Sequence, residues 1–200
     1  MVERAQIALD TLMEGNRRFR NSTSSGATYT PESLAELAKA QHPIAAIIGC
    51  ADARVAPEIV FDQPLGVIFS SRVPGNVAAD SAQWMLEIAV KEFNVPLVMV
   101  MGHTGCLAVG QLLDGDKGGP GGLQRFAVLN AIYHARQRKP EDLYLEAVCE
   151  NARQTCDFLL RDSLSLRAAM LNGHTALVSA VYRMDTGEVE ILQEHVDRRF

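Results

Sequence analysis

Two hundred residues, 48% hydrophobic and 22% charged, suit one folded domain with a core of its own. A formal net charge of −5 argues against nucleic acid as a main partner, because backbone binding needs a basic surface. No apolar stretch is long enough to span a bilayer, and the N-terminus mixes both charge signs without a signal peptide's apolar core. The expected compartment is therefore the cytoplasm, where the four cysteines would be thiols or metal ligands.

From about Glu3 to Arg20, Ile7, Leu9, Leu12, Met13 and Phe19 recur at roughly helical spacing. Thr30 before Pro31 and Glu32 reads as a capped second helix running to about Ala40. The apolar run Ile44–Gly49 predicts a buried strand, as do Val67–Val73 and Leu97–Gly102. Between the last two, Asp80–Phe93 has the pattern of an amphipathic helix, with Trp84, Met85, Ile88 and Ala89 among its apolar residues and Trp84 and Met85 assigned to the core. Strand, helix, strand at this spacing predicts a parallel sheet with crossover helices. Gly115–Gly122 reads as a surface loop and not a phosphate loop, since no strand precedes it and no Gly-Lys-Ser/Thr follows. Leu123–Leu171 is largely helical with a break at Pro140. Ala176–Arg183 and Glu188–Leu192 predict an edge hairpin around Met184–Gly187.

Two of the predicted buried strands end in residues able to bind a metal. One runs into Cys50-Ala51-Asp52-Ala53-Arg54, the other into Gly102-His103-Thr104-Gly105-Cys106. Functional groups gather at the carboxyl ends of parallel strands, so Cys50, His103 and Cys106 can converge. A Cys₂His set leaves one tetrahedral position of zinc open, which is the catalytic pattern. Two thiolates blunt the metal's acidity relative to imidazoles, so activity is expected to rise on the alkaline side. If the loop after Cys50 is extended, Asp52 and Arg54 point the same way as Cys50. Asp52 could then accept from a water on the metal or bind the metal itself, with Arg54 holding it. Cys149 and Cys156 read as small buried hydrophobes, and His42, His134, His174 and His195 as surface or satisfied histidines.

These residues, GCADARVAPEIVFDQPLGVIFSSRVPGNVA and MGHTGCLAV, resemble the β-class carbonic anhydrases, whose pattern is Cys-x-Asp-x-Arg, Arg-x-x-Gly-Asn and His-x-x-Cys. The resemblance covers roughly Leu9 to Leu113 well and the terminal hairpin loosely. It implies an α/β fold: a mainly parallel central sheet flanked by helices, a helical arm over residues 1–40 that embraces a second subunit, a core over 41–200, and a C-terminal edge hairpin. It further implies Zn2+ held by Cys50, His103 and Cys106, with Asp52 and Arg54 as the catalytic pair. Gln41 stands where the family has a glutamine that bonds substrate across a dimer interface, and Phe69 where it has an apolar pocket wall. The implied reaction is reversible hydration of carbon dioxide to bicarbonate by zinc-bound hydroxide, in a homodimer or tetramer of dimers.

The chain departs from the family pattern at Ala51, Ala53, Pro74, Ile88 and Leu107. Leu107 replaces a glycine after the second cysteine, and Ile88 an aromatic hydroxyl. Both are expected to make the pocket tighter or more apolar. Two alternatives therefore stay open: a hydrolase of carbonyl sulfide or carbon disulfide, and a non-catalytic zinc-binding homologue with Asp52 as permanent fourth ligand. Arg72, Gly75 and Asn76 read as a turn that anchors backbone.

Overall fold

In the computed structural model, residues 1–115 and 122–195 are described. In chain order they form α1 (Glu3–Arg20), α2 (Pro31–Leu37), β1 (Ala45–Gly49), α3 (Pro57–Val60), β2 (Ile68–Arg72), α4 (Asp80–Lys91), β3 (Leu97–His103), α5 (Leu107–Leu113), α6 (Leu123–Gln137), α7 (Leu143–Asp162), α8 (Leu164–Leu171), β4 (Ala176–Arg183) and β5 (Glu188–His195). The five strands make one sheet in the order β2-β1-β3-β4-β5. The first four run parallel, and β5 closes the edge antiparallel to β4. The predicted α/β class and edge hairpin are therefore both present. Of the glycine-rich stretch Gly115–Gly122, residues 116–121 lie outside the described residues.

Burial on both sides explains why β1 and β3 read as continuous apolar runs and not as alternating ones, whereas β2, expected to be buried too, lies at the sheet edge with none of its residues buried. Ala45 and Ile47 of β1, with Leu97, Met99 and Met101 of β3, pack under Leu9 and Leu12 of α1 and Val128 and Ile132 of α6. Ala46, Ile48, Val98 and Val100 pack on the opposite face, against Leu86 and Ala89 of α4 and Leu166 of α8. Helix α7 serves both layers, with Val148 in the first and Cys156 and Leu159 in the second. Cys149 and Cys156 are buried thiols, as expected. Burial pushes Cys149 up to about 11 and pushes Cys156 well above the ordinary thiol range.

Three local expectations change. Helix α4 buries Ala82, Leu86, Ala89 and Val90, so Trp84 is 73% exposed and not in the core. Its small residues, not its largest one, fit the close approach to the sheet. Helix α2 stops at Leu37, three residues short of the expected end, and none of its residues is buried. Its cap is as expected, with Thr30 Oγ1 accepting from the Ser33 amide at 3.3 Å. The third is the Leu123–Leu171 helical stretch, which breaks at Ser163 as well as before Leu143. The Ser163 side chain caps α8 by accepting from the Leu166 amide at 3.2 Å.

Helix α1 is seated by two residues. A Cβ on Gly15 would lie 1.8 Å from the Phe61 carbonyl oxygen, so only glycine permits this approach to α3. Asn16 is buried. Its Nδ2 donates to the carbonyls of Val60 (3.1 Å) and Gly187 (2.8 Å), and its Oδ1 accepts from the Val189 amide (3.0 Å). Asn16→Ala leaves three backbone groups without that partner. It is expected to destabilise the fold by about 2–4 kcal/mol and to lower Tm by roughly 5–12 °C. Scanning calorimetry checks this, and a shift under about 2 °C would remove Asn16 as a tie.

Candidate metal centre

β1 and β3 are neighbours in parallel register, with Ile48 beside Val100. Their carboxyl ends therefore open at the same edge of the sheet. Cys50 follows β1, His103 closes β3, and a two-residue turn through Gly105 (φ 72°) brings Cys106 back as the N-cap of α5. The Cys50 and Cys106 sulfurs are 3.9 Å apart. One donor atom from each of Cys50, His103 and Cys106 lies within 4.8 Å of the others, and all three side chains are buried. Among the described residues this is the one cluster of three or more histidine, cysteine or acidic groups with such spacing.

Electrostatics prepares the sulfurs. The Cys106 thiol donates to Cys50 and holds it well below the ordinary thiol range, with help from the nearby His103 ring and the backbone amides of Asp52 and Gly75. The same hydrogen bond, together with burial, pushes Cys106 well above the ordinary thiol range. The two thiols are thus coupled through one shared hydrogen bond, and a cation bound between them would displace its proton.

The surroundings of His103 leave one of its ring nitrogens able to bind a metal. Its Nδ1 lies 2.9 Å from the Thr104 carbonyl oxygen, which can only accept, so the proton sits on Nδ1. Its Nε2 is left with a lone pair, buried and without a partner. Among the described residues, the only other buried side-chain polar atom in that condition is Asn76 Nδ2. An orphaned buried nitrogen is costly unless something occupies it. Two thiol sulfurs and one imidazole nitrogen suit zinc, and the three-donor set leaves a fourth coordination position.

The loop after Cys50 is not extended. The Arg54 amide donates to Asp52 Oδ1 at 3.0 Å, folding a turn over Ala53. The turn still pairs Asp52 with Arg54, through Nε–Oδ1 at 2.9 Å and Nη2–Oδ2 at 2.7 Å. This hydrogen-bonded pairing holds the Asp52 carboxyl far below the usual carboxylate range, against its burial. Arg54 Nη2 also reaches the Gly105 carbonyl at 3.3 Å, tying the two ligand loops together. From β2, Arg72 donates to the Cys50 carbonyl (3.1 Å) and to the Asp52 carbonyl, which is the backbone anchoring expected of it.

The remaining candidate residues do not join this cluster within one chain. Gln41 lies exposed before β1, at the opposite end of that strand from Cys50. Phe69 packs on the α4 face, edge-on to Phe93 at 5.1 Å, away from the layer that holds Cys50 and Cys106. Ile88 is on the exposed side of α4. Leu107 opens α5 beside Cys106, yet its side chain is 70% exposed and does not fill the site. Two residues that the sequence reading did not assign to the site do reach the centre. Tyr144 on α7 donates to the Cys106 carbonyl at 3.0 Å, and burial pushes its phenol up to about 12. Met184 places its sulfur 3.2 Å from His103 Nδ1. Neither lies in a motif, and only sheet register and helix packing bring them in.

Comparison with known proteins points the same way. A family model described as carbonic anhydrase matches residues 45–189. Carbonic anhydrase 2 of Mycobacterium tuberculosis is 34% identical over 193 residues, covering 94% of this chain and 93% of the relative. A carbonic anhydrase of Mycolicibacterium smegmatis is 32% identical over 188 residues, covering 92% and 91%. Among solved structures, a tetrameric β-carbonic anhydrase from Sordaria macrospora superposes with a TM-score of 0.74 at 17% identity, covering 96% of this chain and 97% of that one.

Proposed function

The chain belongs to the β-class carbonic anhydrase family, and from that premise we propose that it is a carbonate dehydratase, interconverting carbon dioxide and bicarbonate at a zinc centre held by Cys50, His103 and Cys106. The observation that carries this reading is the orphaned, buried Nε2 of His103 in one cluster with two buried sulfurs 3.9 Å apart. Zinc, when bound, supplies the Lewis acidity that brings a water molecule's pKa toward neutrality.

The protein's own groups do the rest. Asp52, held ionised by Arg54, is an acceptor and not a proton store. Its free lone pairs orient the attacking water by taking a hydrogen bond at a fixed position. The released proton therefore passes to solvent and buffer. Arg54 engages both carboxylate oxygens of Asp52, which is not among the clustered donors, in keeping with a fourth position left for substrate chemistry.

Gln41 and Phe69 can serve this site only from a second copy of the chain, since neither reaches it within one. Assembly as a dimer, or as a tetramer of dimers, is part of the proposal, and exposed Trp84 and Ile88 offer apolar surface for it. Among the described residues no helix is long and apolar enough to cross a membrane. The four free cysteines favour a reducing compartment, the cytoplasm.

Stopped-flow carbon dioxide hydration by the zinc-loaded protein at pH 7 and 8.5 tests the reading, with Cys50→Ala as blank and sulfide release from carbonyl sulfide alongside. Fast hydration, greater at pH 8.5 and lost in the variant, is expected. Sulfide release exceeding hydration would move the activity to a sulfur substrate, and silence in both assays would remove the enzymatic reading.

A further inference from the structure

We propose that Met184 is a positioning residue of the metal centre, holding the His103 ring in the orientation that presents Nε2 to the two sulfurs; this rests on the zinc-site reading above. Met184 is the first residue beyond β4, where the hairpin turns toward β5. Its location is set by the neighbour of the ligand itself. The Thr104 amide donates to the Tyr182 carbonyl at 3.0 Å, and Thr104 Oγ1 accepts from the Met184 amide at 3.0 Å. These two bonds extend the β3–β4 ladder one step past the pair His103 and Tyr182. The hairpin is thereby stitched to the ligand loop just behind the imidazole.

From that anchor the Met184 sulfur reaches 3.2 Å from His103 Nδ1. The Thr104 carbonyl, at 2.9 Å from the same nitrogen, is the better acceptor, because a thioether accepts only weakly. The sulfur therefore acts mainly by occupying space. It closes the side of the ring that faces away from Cys50 and Cys106 and bars rotation toward the hairpin. The same side chain lies over Gly105: a Cβ there would meet the Met184 sulfur at 3.5 Å, its methyl at 3.9 Å and Arg54 Nη2 at 3.9 Å. Gly105 is also the carbonyl that Arg54 grips. One side chain from the hairpin thus packs on the metal ligand and on the residue that links the Asp52–Arg54 pair to it. An unbranched thioether adapts to this irregular gap, and leucine is the nearest substitute in volume.

The test compares zinc-loaded wild type with Met184→Leu, Met184→Val and Met184→Ala. Zinc affinity is read by competition with a chromogenic chelator, ligand geometry by the visible absorption of the cobalt-substituted protein, and folding separately by Tm. Partners of a metal-bound histidine typically account for about 10–100-fold in affinity. Met184→Ala is expected at the low end, about tenfold weaker with shifted cobalt bands, while Met184→Leu stays within about threefold. If Met184→Ala fails to fold, Met184→Val carries the same expectation of weakened zinc and shifted bands. A folded alanine or valine variant with wild-type affinity and spectrum would overturn the role of Met184. So would a leucine variant as weak as alanine, because packing would then not be the cause. Wild-type protein that binds no zinc would instead sink the metal-site reading itself.

Discussion

His103→Ala is expected to abolish stable zinc binding and to lower kcat/KM for carbon dioxide by at least about a thousandfold. The metal contributes several kcal/mol of transition-state stabilisation, and each 1.36 kcal/mol is a factor of ten. The imidazole is not replaceable by its surroundings. Its Nδ1 is committed to the Thr104 carbonyl, and Nε2 is the only nitrogen of the cluster. Without it, two thiol sulfurs 3.9 Å apart remain, a donor set too small for a closed tetrahedral site. The fold should survive, because Thr104 keeps its backbone bond to Tyr182 and the β3–β4 ladder does not depend on the ring. Zinc stoichiometry by atomic emission, far-UV circular dichroism and stopped-flow hydration together check this. A folded variant that keeps one zinc per chain and near wild-type turnover would show that His103 is not a ligand.

The second large effect is expected at Asp52. Asp52→Asn preserves size and leaves the Arg54 amide with an acceptor. It removes the charge that the guanidinium grips at 2.7 and 2.9 Å. Loss of an oriented, ionised acceptor typically costs about 10²–10³ in rate. Zinc content should not change, since Asp52 is not among the three clustered donors. Arg54→Ala separates charge from orientation. Arg54 is the main reason the Asp52 carboxyl sits far below the ordinary range, so its removal lets that pKa rise. Burial then raises it while the residue-54 amide and His103 still lower it, so it moves back toward the ordinary carboxylate value near 4. Asp52 therefore stays ionised above about pH 6 with or without Arg54. The loss in Arg54→Ala should then be the same at pH 6.5 and pH 9, because it comes from a carboxylate free to swing toward the metal ligands. A defect that deepens as pH falls from 9 to 6.5 would point to protonation and refute the orienting role.

Much of this was legible in the chain itself, for local reasons. The strands β1 and β3 are short apolar runs buried on both faces, and the residues at their carboxyl ends are Cys50 and His103. Chain polarity alone puts those ends on one edge of a parallel sheet. The closeness of Cys106 to His103 and of Arg54 to Asp52 follows from separations of three and two residues. The Thr30 cap and the hairpin at Met184–Gly187 are similarly local, and both are present.

Other features depend on surfaces that meet only in three dimensions. Periodicity shows that α4 has an apolar face, but Trp84 and Leu86 belong to different faces, and sheet packing selects the smaller residues. The turn at Asp52 is closed by its own side chain accepting from the Arg54 amide, a choice that competes with extension and is not set by composition. Gly15 is required because α1 crosses the Phe61 carbonyl, 46 residues away in sequence. Met184 and Tyr144 lie 81 and 38 residues from the clustered residues they touch, His103 and Cys106. Sequence by itself determined the chemistry of the donors and the edge of the sheet where they collect, because these follow from strand identity and chain direction. Tertiary structure alone decided which nitrogen of His103 is free, which side chains brace it, and that Gln41 and Phe69 lie elsewhere, because those depend on the register between strands and the faces that helices turn to the sheet.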